Sequence, residues 1–216
     1  MIQKSFEIDG IKLDPTNKEF FEYAQLVLKD TQRRVVYLTG KAGTGKTTFL
    51  KYVVSEFERQ NQGSETPRSY VILAPTGVAA VNAHGQTIHS FFKLPSTAFL
   101  PEDEQYEISN IKKCFSYNNE KVELIKHLSL LIIDEISMVR CDILDIIDKI
   151  LKAYRKDNRP FGGVKVLLVG DAFQLSPIAS GQVIDKKTNT LVSIKYLLQQ
   201  QGYKSIYFFD SKAYIE

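Results

Sequence analysis

The stretch Gly40-Lys41-Ala42-Gly43-Thr44-Gly45-Lys46-Thr47 constrains this chain more than any other, because a loop of that composition needs a strand on one side and a helix on the other. It fits the G-x-x-x-x-G-K-[ST] pattern in full. Before it, Val35, Val36, Tyr37 and Leu38 read as a buried strand. After it, Leu50, Val53, Val54 and Phe57 line one face of a helix that the breaker at 61–63 should stop. Glycines at such a turn let backbone N–H groups curl around a phosphate, Lys46 reaches the β and γ oxygens, and the Thr47 hydroxyl ligates magnesium. The expected ligands are ATP and Mg2+.

Three further runs, 70–74, 130–133 and 164–169, are almost wholly apolar. Continuous hydrophobicity, as opposed to alternation, predicts strands covered on both faces, hence an α/β fold with a parallel sheet and helices on either side. Ligands of such sheets bind beyond the carboxyl ends of the strands. Here those ends carry GKAGTGKTT, PTG, DE and GDAFQ. Asp134 can hold magnesium through its water shell, and Glu135 is then placed to orient and deprotonate an attacking water. Gln174 offers an amide that either senses the γ-phosphate or caps the turn begun by Ser176-Pro177. Ile143, Leu144, Ile146, Ile147, Ile150 and Leu151 form the apolar face of another helix, with Asp142, Asp145 and Asp148 expected as solvated charge opposite it and not as a metal cluster. Thr16 and Glu19 have capping-box spacing ahead of a first helix carrying Phe20, Phe21, Ala24, Val27 and Leu28.

Composition narrows the partners only slightly. A net charge of +3 is far from the strongly basic balance that alone announces a nucleic-acid binder, and Lys112, Lys113, Lys186 and Lys187 read as loop charge. Cys114 and Cys141 have neither disulfide-framework nor zinc spacing, no apolar leader follows the first residues, and no stretch suits a membrane, so a cytoplasmic protein is expected.

Five segments add a sharper expectation: APTGVAA at 74–80, GQTIHSFF at 85–92, DEISMV at 134–139, PFGG at 160–163 and GDAFQLSP at 170–177. With the phosphate loop they resemble the first RecA-like domain of the Pif-one family of superfamily-one helicases, over most of 35–177. The resemblance implies an ATP-driven translocase moving 5′ to 3′ on single-stranded DNA and serving DNA repair, telomere upkeep and genome maintenance. It assigns Gly43, Thr44, Gly45, Lys46, Thr47 and Thr48 to ATP, Thr47 and Asp134 to magnesium, Glu135 to base catalysis and Gln174 to coupling. Pro75, Thr76, Gly77, His89, Ser90 and Phe91 would contact DNA. The residue types agree in part: Thr76, His89 and Ser90 carry donors for phosphates, and Phe91 or Phe92 could stack on a base for roughly 1–3 kcal/mol. On residue type alone, both phenylalanines belong in the core.

The chain departs from the family where a glutamine reads adenine, offering Asn17 or Gln25, and in having one proline where GDAFQLSP often has two. The expected division is a leading segment at 1–34, a RecA-like ATP-binding domain at 35–180 with an irregular insertion near 93–119, and an extension at 181–216 with a possible strand at 206–209. A second RecA-like domain with its arginine finger is missing from these 216 residues, which predicts a monomeric fragment that binds nucleotide, hydrolyses it slowly and does not unwind DNA. The alternative is a P-loop ATPase switch or binding module acting on protein, which has no mechanical use for the APTG and TIHSFF segments.

Overall fold

Runs made up mostly of hydrophobic residues become neighbours in one parallel sheet. The computed structural model of the chain describes residues 6–8, 11–13, 18–29, 34–65, 68–171, 173–177, 182–185 and 188–215. A short antiparallel pair, β1 (Phe6–Ile8) and β2 (Ile11–Leu13), precedes α1 (Lys18–Lys29). Then come β3 (Val35–Thr39), α2 (Lys46–Asn61), β4 (Ser69–Ala74), α3 (Gly77–Asn82), β5 (Gln86–Thr87) and α4 (Ile88–Phe92). After α5 (Ile111–Cys114) and α6 (Asn119–His127) follow β6 (Leu128–Ile133), α7 (Cys141–Arg155) and β7 (Lys165–Gly170). The last elements are an antiparallel pair, β8 (Gln182–Asp185) and β9 (Thr190–Ser193), then α8 (Ile194–Gln200) and α9 (Lys212–Ile215). The main sheet runs β3-β7-β6-β4-β5 with every pairing parallel.

Alternate residues of each central strand serve opposite faces, as the pleat requires. Leu130, Ile132, Leu167 and Val169 pack with Ala24 and Val27 of α1 and Phe49, Leu50, Val53 and Phe57 of α2. Leu131, Ile133, Val166 and Leu168 face the other way, into a core with Leu144, Ile147 and Leu151 of α7. Each such side chain taken from water contributes about 1.5–3 kcal/mol, so β6 and β7 are held from both sides.

The structure departs from the sequence reading in several places. Asp142, Asp145 and Asp148 are not solvated: they are 0%, 9% and 5% exposed. Each is buried because each has donors. Asp142 accepts Arg140 Nε and Nη2 at 2.8 Å and the Phe99 N–H at 2.9 Å. Asp145 accepts Tyr203 Oη at 2.5 Å, Ser211 Oγ at 2.7 Å and the Ala213 N–H at 2.9 Å. Asp148 accepts the Phe161 N–H at 2.6 Å and pairs with Lys152 at 2.8 Å. Consequently the segment 203–213 is clasped to the outer side of α7. Residues 206–209 form no strand: Tyr207 makes a single bridge to Arg140, and a 3₁₀ turn, Phe208–Asp210, follows. Within 93–119, Leu94, Phe99, Tyr106, Ile111 and Phe115 are buried in the α7 core, and Phe99 meets Tyr106 edge-on at 5.2 Å. Thr16, Lys186 and Lys187 lie outside the described residues, as does the side chain of Glu19. Among the described residues no helix is long and apolar enough to cross a membrane.

Candidate functional site

The loop between β3 and α2 takes its shape from its glycines. Gly43 and Gly45 sit at φ 78° and 87°, in the left-handed region that glycine occupies without strain, and nothing lies within 4 Å of a Cβ built on either. At Gly40 a Cβ would fall 2.6 Å from Thr44 Oγ1, so any larger residue there would have to displace the Thr44 hydroxyl. Gly45 N-caps α2 without a side-chain cap, and the first turn has no acidic residue. The start of α2 therefore presents uncapped N–H groups and the positive end of its dipole to the loop. The Lys46 ammonium lies over the loop, donating to the carbonyls of Gly40 at 2.5 Å and Lys41 at 2.9 Å.

Facing the loop is the end of β6. The Asp134 N–H bonds Leu73 O at 2.8 Å, which ties the position to β4, and the Glu135 N–H donates to Asp134 Oδ1 at 2.9 Å. Glu135 holds φ 52°, a left-handed conformation that costs a non-glycine residue about 1 kcal/mol or more. Burial pushes both carboxyls above their ordinary values. For Glu135 the neighbouring charge of Asp134 adds to that, and Lys46 pulls both back down. After β7, the buried Asp171 shapes the next turn, its Oδ1 accepting the Phe173 N–H at 3.0 Å and its carbonyl the Gln174 N–H at 3.0 Å.

These pieces converge. Thr47, Thr76, Asp134, Glu135, Met138 and Gln174 line one cavity of about 610 Å3, within the range of small-molecule sites. A second cavity, of about 580 Å3, lies on the α1 side of the loop and is lined by Phe20, Tyr23, Gly40, Lys46 and Thr48. Thr44 and Gly45 border it too. Gln25 does not line it, and among the described residues its buried Oε1 has no hydrogen-bond partner. Asn17 lies outside the described residues.

The segments expected at DNA divide. Thr76 and Thr87 cap α3 and α4, accepting the Ala79 and Ser90 N–H groups at 3.2 Å each. Pro75 is partly buried, Gly77 and Ser90 are exposed, and His89 is partly buried, its imidazole held below its ordinary pKa first by burial and then by Arg140. Phe91 corrects the expectation. It is 2% exposed, meets Phe92 edge-on at 4.8 Å and lies under the Lys121 ammonium, so no ring face is open to a base. The cause is helical spacing: Ile88, Phe91 and Phe92 share the inner side of α4, leaving His89 and Ser90 outside.

Sequence reading missed Asp171, whose signal was only a carboxylate after a strand. It also missed Phe173 and Leu175, which flank Gln174 and are among the most exposed hydrophobic residues. Among the described residues no three His, Cys, Asp or Glu side chains could share a metal. The hard oxygens of Thr47 and Asp134 fit magnesium, which keeps several waters and needs few protein ligands.

The chain's similarities to known proteins match this geometry. The model of the family described as PIF1-like helicase matches residues 12–205. The ATP-dependent DNA helicase PIF1 of Candida albicans is 31% identical over 183 residues, 83% of this chain and 19% of the relative. That of Homo sapiens is 31% identical over 177 residues, 81% of this chain and 25% of the relative. The crystal structure of Bacteroides sp Pif1 in complex with ADP-AlF4 aligns with a TM-score of 0.68 and 37% identity over 90% of this chain and 38% of that one. Bacteroides Pif1 bound to ssDNA aligns with a TM-score of 0.68 and 37% identity over 91% of this chain and 38% of that one. The chain thus spans 19% to 25% of the length of these two curated relatives.

Proposed function

The chain belongs to the PIF1-like helicase family, and from that premise we propose that it is the nucleotide-binding motor domain of an ATP-driven, 5′-to-3′ DNA translocase. The observation that carries the reading is the single cavity walled by Thr47, Thr76, Asp134, Glu135 and Gln174, contributed by the carboxyl ends of four different strands. No surface requirement of the fold brings those side chains together. A polyphosphate ligand would account for their convergence.

In this reading the triphosphate lies across the open cradle at Gly43 and Gly45, held by the amides of residues 43–48. Lys46 exchanges its carbonyl partners at Gly40 and Lys41 for β- and γ-phosphate oxygens, so the loop is pre-shaped by a contact that the ligand replaces. Thr47 and Asp134 hold magnesium, which when bound neutralises charge developing on the phosphoryl oxygens. Glu135 takes the proton of the attacking water, and the upward push on its carboxyl moves it toward the working pH of a general base. The base of the nucleotide occupies the cavity between the loop and α1, against Phe20 and Tyr23. Gln174, in the turn set by Asp171, reports the presence of the γ-phosphate.

Pro75, Thr76, Gly77, His89 and Ser90, at the starts of α3 and α4, form the surface proposed for single-stranded DNA. Phosphate contacts suit it and base stacking by Phe91 does not. The matched segments make up only 19% and 25% of these two relatives, which supports a second RecA-like domain completing the site with an arginine; without one, turnover is slow. The test is calorimetry with Mg-ATP alongside titration of a fluorescent single-stranded oligonucleotide at two salt concentrations. Heat of association with Mg-ATP, and oligonucleotide binding that weakens steeply with salt, are expected. No heat with Mg-ATP would end the nucleotide reading, and no oligonucleotide binding at low salt would favour a switch acting on protein.

A further inference from the structure

Beside the nucleotide cavity lies a larger one, of about 800 Å3, which runs along α2 and the outer part of β4 past Lys51, Ser55, Tyr70 and His84. The two cavities have three lining residues in common: Thr47, Asp134 and Asn82. Two of these are the proposed magnesium ligands. The third has no assigned task.

Asn82 ends α3, and Val78 and Ala79, four and three residues before it, also line the nucleotide cavity, so one face of this helix looks into the site. An asparagine at a helix end commonly serves the helix itself, but here the backbone closes it unaided. The N–H of Ala83 bonds Ala79 O at 2.9 Å, that of His84 bonds Val81 O at 3.1 Å, and that of Gly85 bonds Ala80 O at 2.8 Å, with His84 at φ 52°. Among the described residues the Asn82 carboxamide makes no hydrogen bond and is exposed. The neighbouring acceptor is also underused: among the described residues the Asp134 carboxylate accepts only the Glu135 N–H.

An uncommitted amide at the junction that Thr47 and Asp134 define points to a use. We propose that Asn82 is a third residue of the magnesium site, its side-chain oxygen accepting a hydrogen bond from water in the metal's shell. Its chemistry fits, because magnesium retains waters that need acceptors on the protein. The proposal rests on the nucleotide reading above but makes a separate claim: Asn82 acts on the metal and not on the nucleotide alone.

The test measures binding of the fluorescent, non-hydrolysable analogue mant-AMPPNP with saturating magnesium and with EDTA, in the parent chain and in the variants Asn82→Ala, Asn82→Asp and Lys46→Ala. The loss of one hydrogen bond to a polarised water should lower the ratio of the two dissociation constants about 3- to 10-fold in Asn82→Ala, with binding in EDTA unchanged. Asn82→Asp, which keeps an oxygen and adds charge, should hold or raise the ratio. A parent-like ratio in Asn82→Ala overturns the proposal, provided Lys46→Ala weakens binding in both arms. Parent-like binding by Lys46→Ala overturns the nucleotide reading itself. Asn82 is exposed, so thermal unfolding of both position-82 variants should match the parent; a loss of magnesium response accompanied by destabilisation counts against the assignment.

Discussion

Two groups of carboxylates flank the sheet, and they have been treated oppositely. Asp142, Asp145 and Asp148 on α7 are buried among donors: Asp145 alone accepts two hydroxyls and a backbone N–H. Asp134 and Glu135, beyond β6, are partly buried with almost nothing spent. Among the described residues the Asp134 carboxylate accepts one N–H and the Glu135 carboxylate accepts none, and both are pushed toward the protonated form. A saturated carboxylate is a fastener. One that is desolvated, crowded by a like charge and left with free lone pairs costs stability, and a fold keeps it where an incoming ligand will use that capacity. The difference shows in partners and not in burial alone.

Removing a fastener should produce the largest effect. In Asp145→Ala the Tyr203 and Ser211 hydroxyls and the Ala213 N–H lose their acceptor, and about 3–5 kcal/mol of unfolding free energy should go with them. Urea unfolding measures this, and a loss under about 1 kcal/mol would dissolve the contrast between the two groups. Glu135→Gln should do the reverse. It should leave stability near the parent's and nucleotide affinity within a few-fold, while lowering whatever ATP turnover the chain shows by about 10²-fold or more. A single-turnover assay reads it, and undiminished turnover would remove Glu135 from the chemistry.

The smallest effect is a pH dependence. The folded-state pKa of Glu135 is raised, so between the ordinary value of 4.5 and that raised value the folded chain holds a proton the unfolded chain has lost. Its contribution is complete below 4.5 and lost as pH rises through the folded value. Glu135→Gln should therefore gain stability over the parent as pH rises through that window, by less than about 1 kcal/mol because solvent screens the partly exposed pair. A difference of opposite slope would mean Glu135 is held by a donor and belongs with the fasteners.

The same contrast explains what could be read from the sequence. Val35 to Leu38, the apolar core of β6 and β7, and the glycines of the loop are specified by neighbours in the chain, so strands, phosphate loop and the Asp134-Glu135 pair were legible. The α7 aspartates were not. Their three-residue spacing opposite an apolar stripe reads as a solvated face, and the partners that bury them, Phe99, Phe161, Tyr203 and Ser211, are remote in sequence. Phe91 was misassigned for a related reason: whether an aromatic on a five-residue helix points in or out depends on what covers it, here Phe92 and Lys121. Asn82 carried no pattern, since its position follows from two cavities and not from a motif.

Strand order also sets the sequence of events by which the molecule is made. Among the described residues β3, which launches the phosphate loop, has one partner in the sheet, β7, with Val35 opposite Val166 and Thr39 opposite Gly170. Parallel pairing between segments so far apart must wait for the long intervening chain to be ordered, which slows folding. During synthesis the loop would leave the ribosome early and stay without its strand partner until β7 emerged. On the proposed reading, nucleotide binding would be a late property of this chain, and its first appearance would time the closing of the sheet.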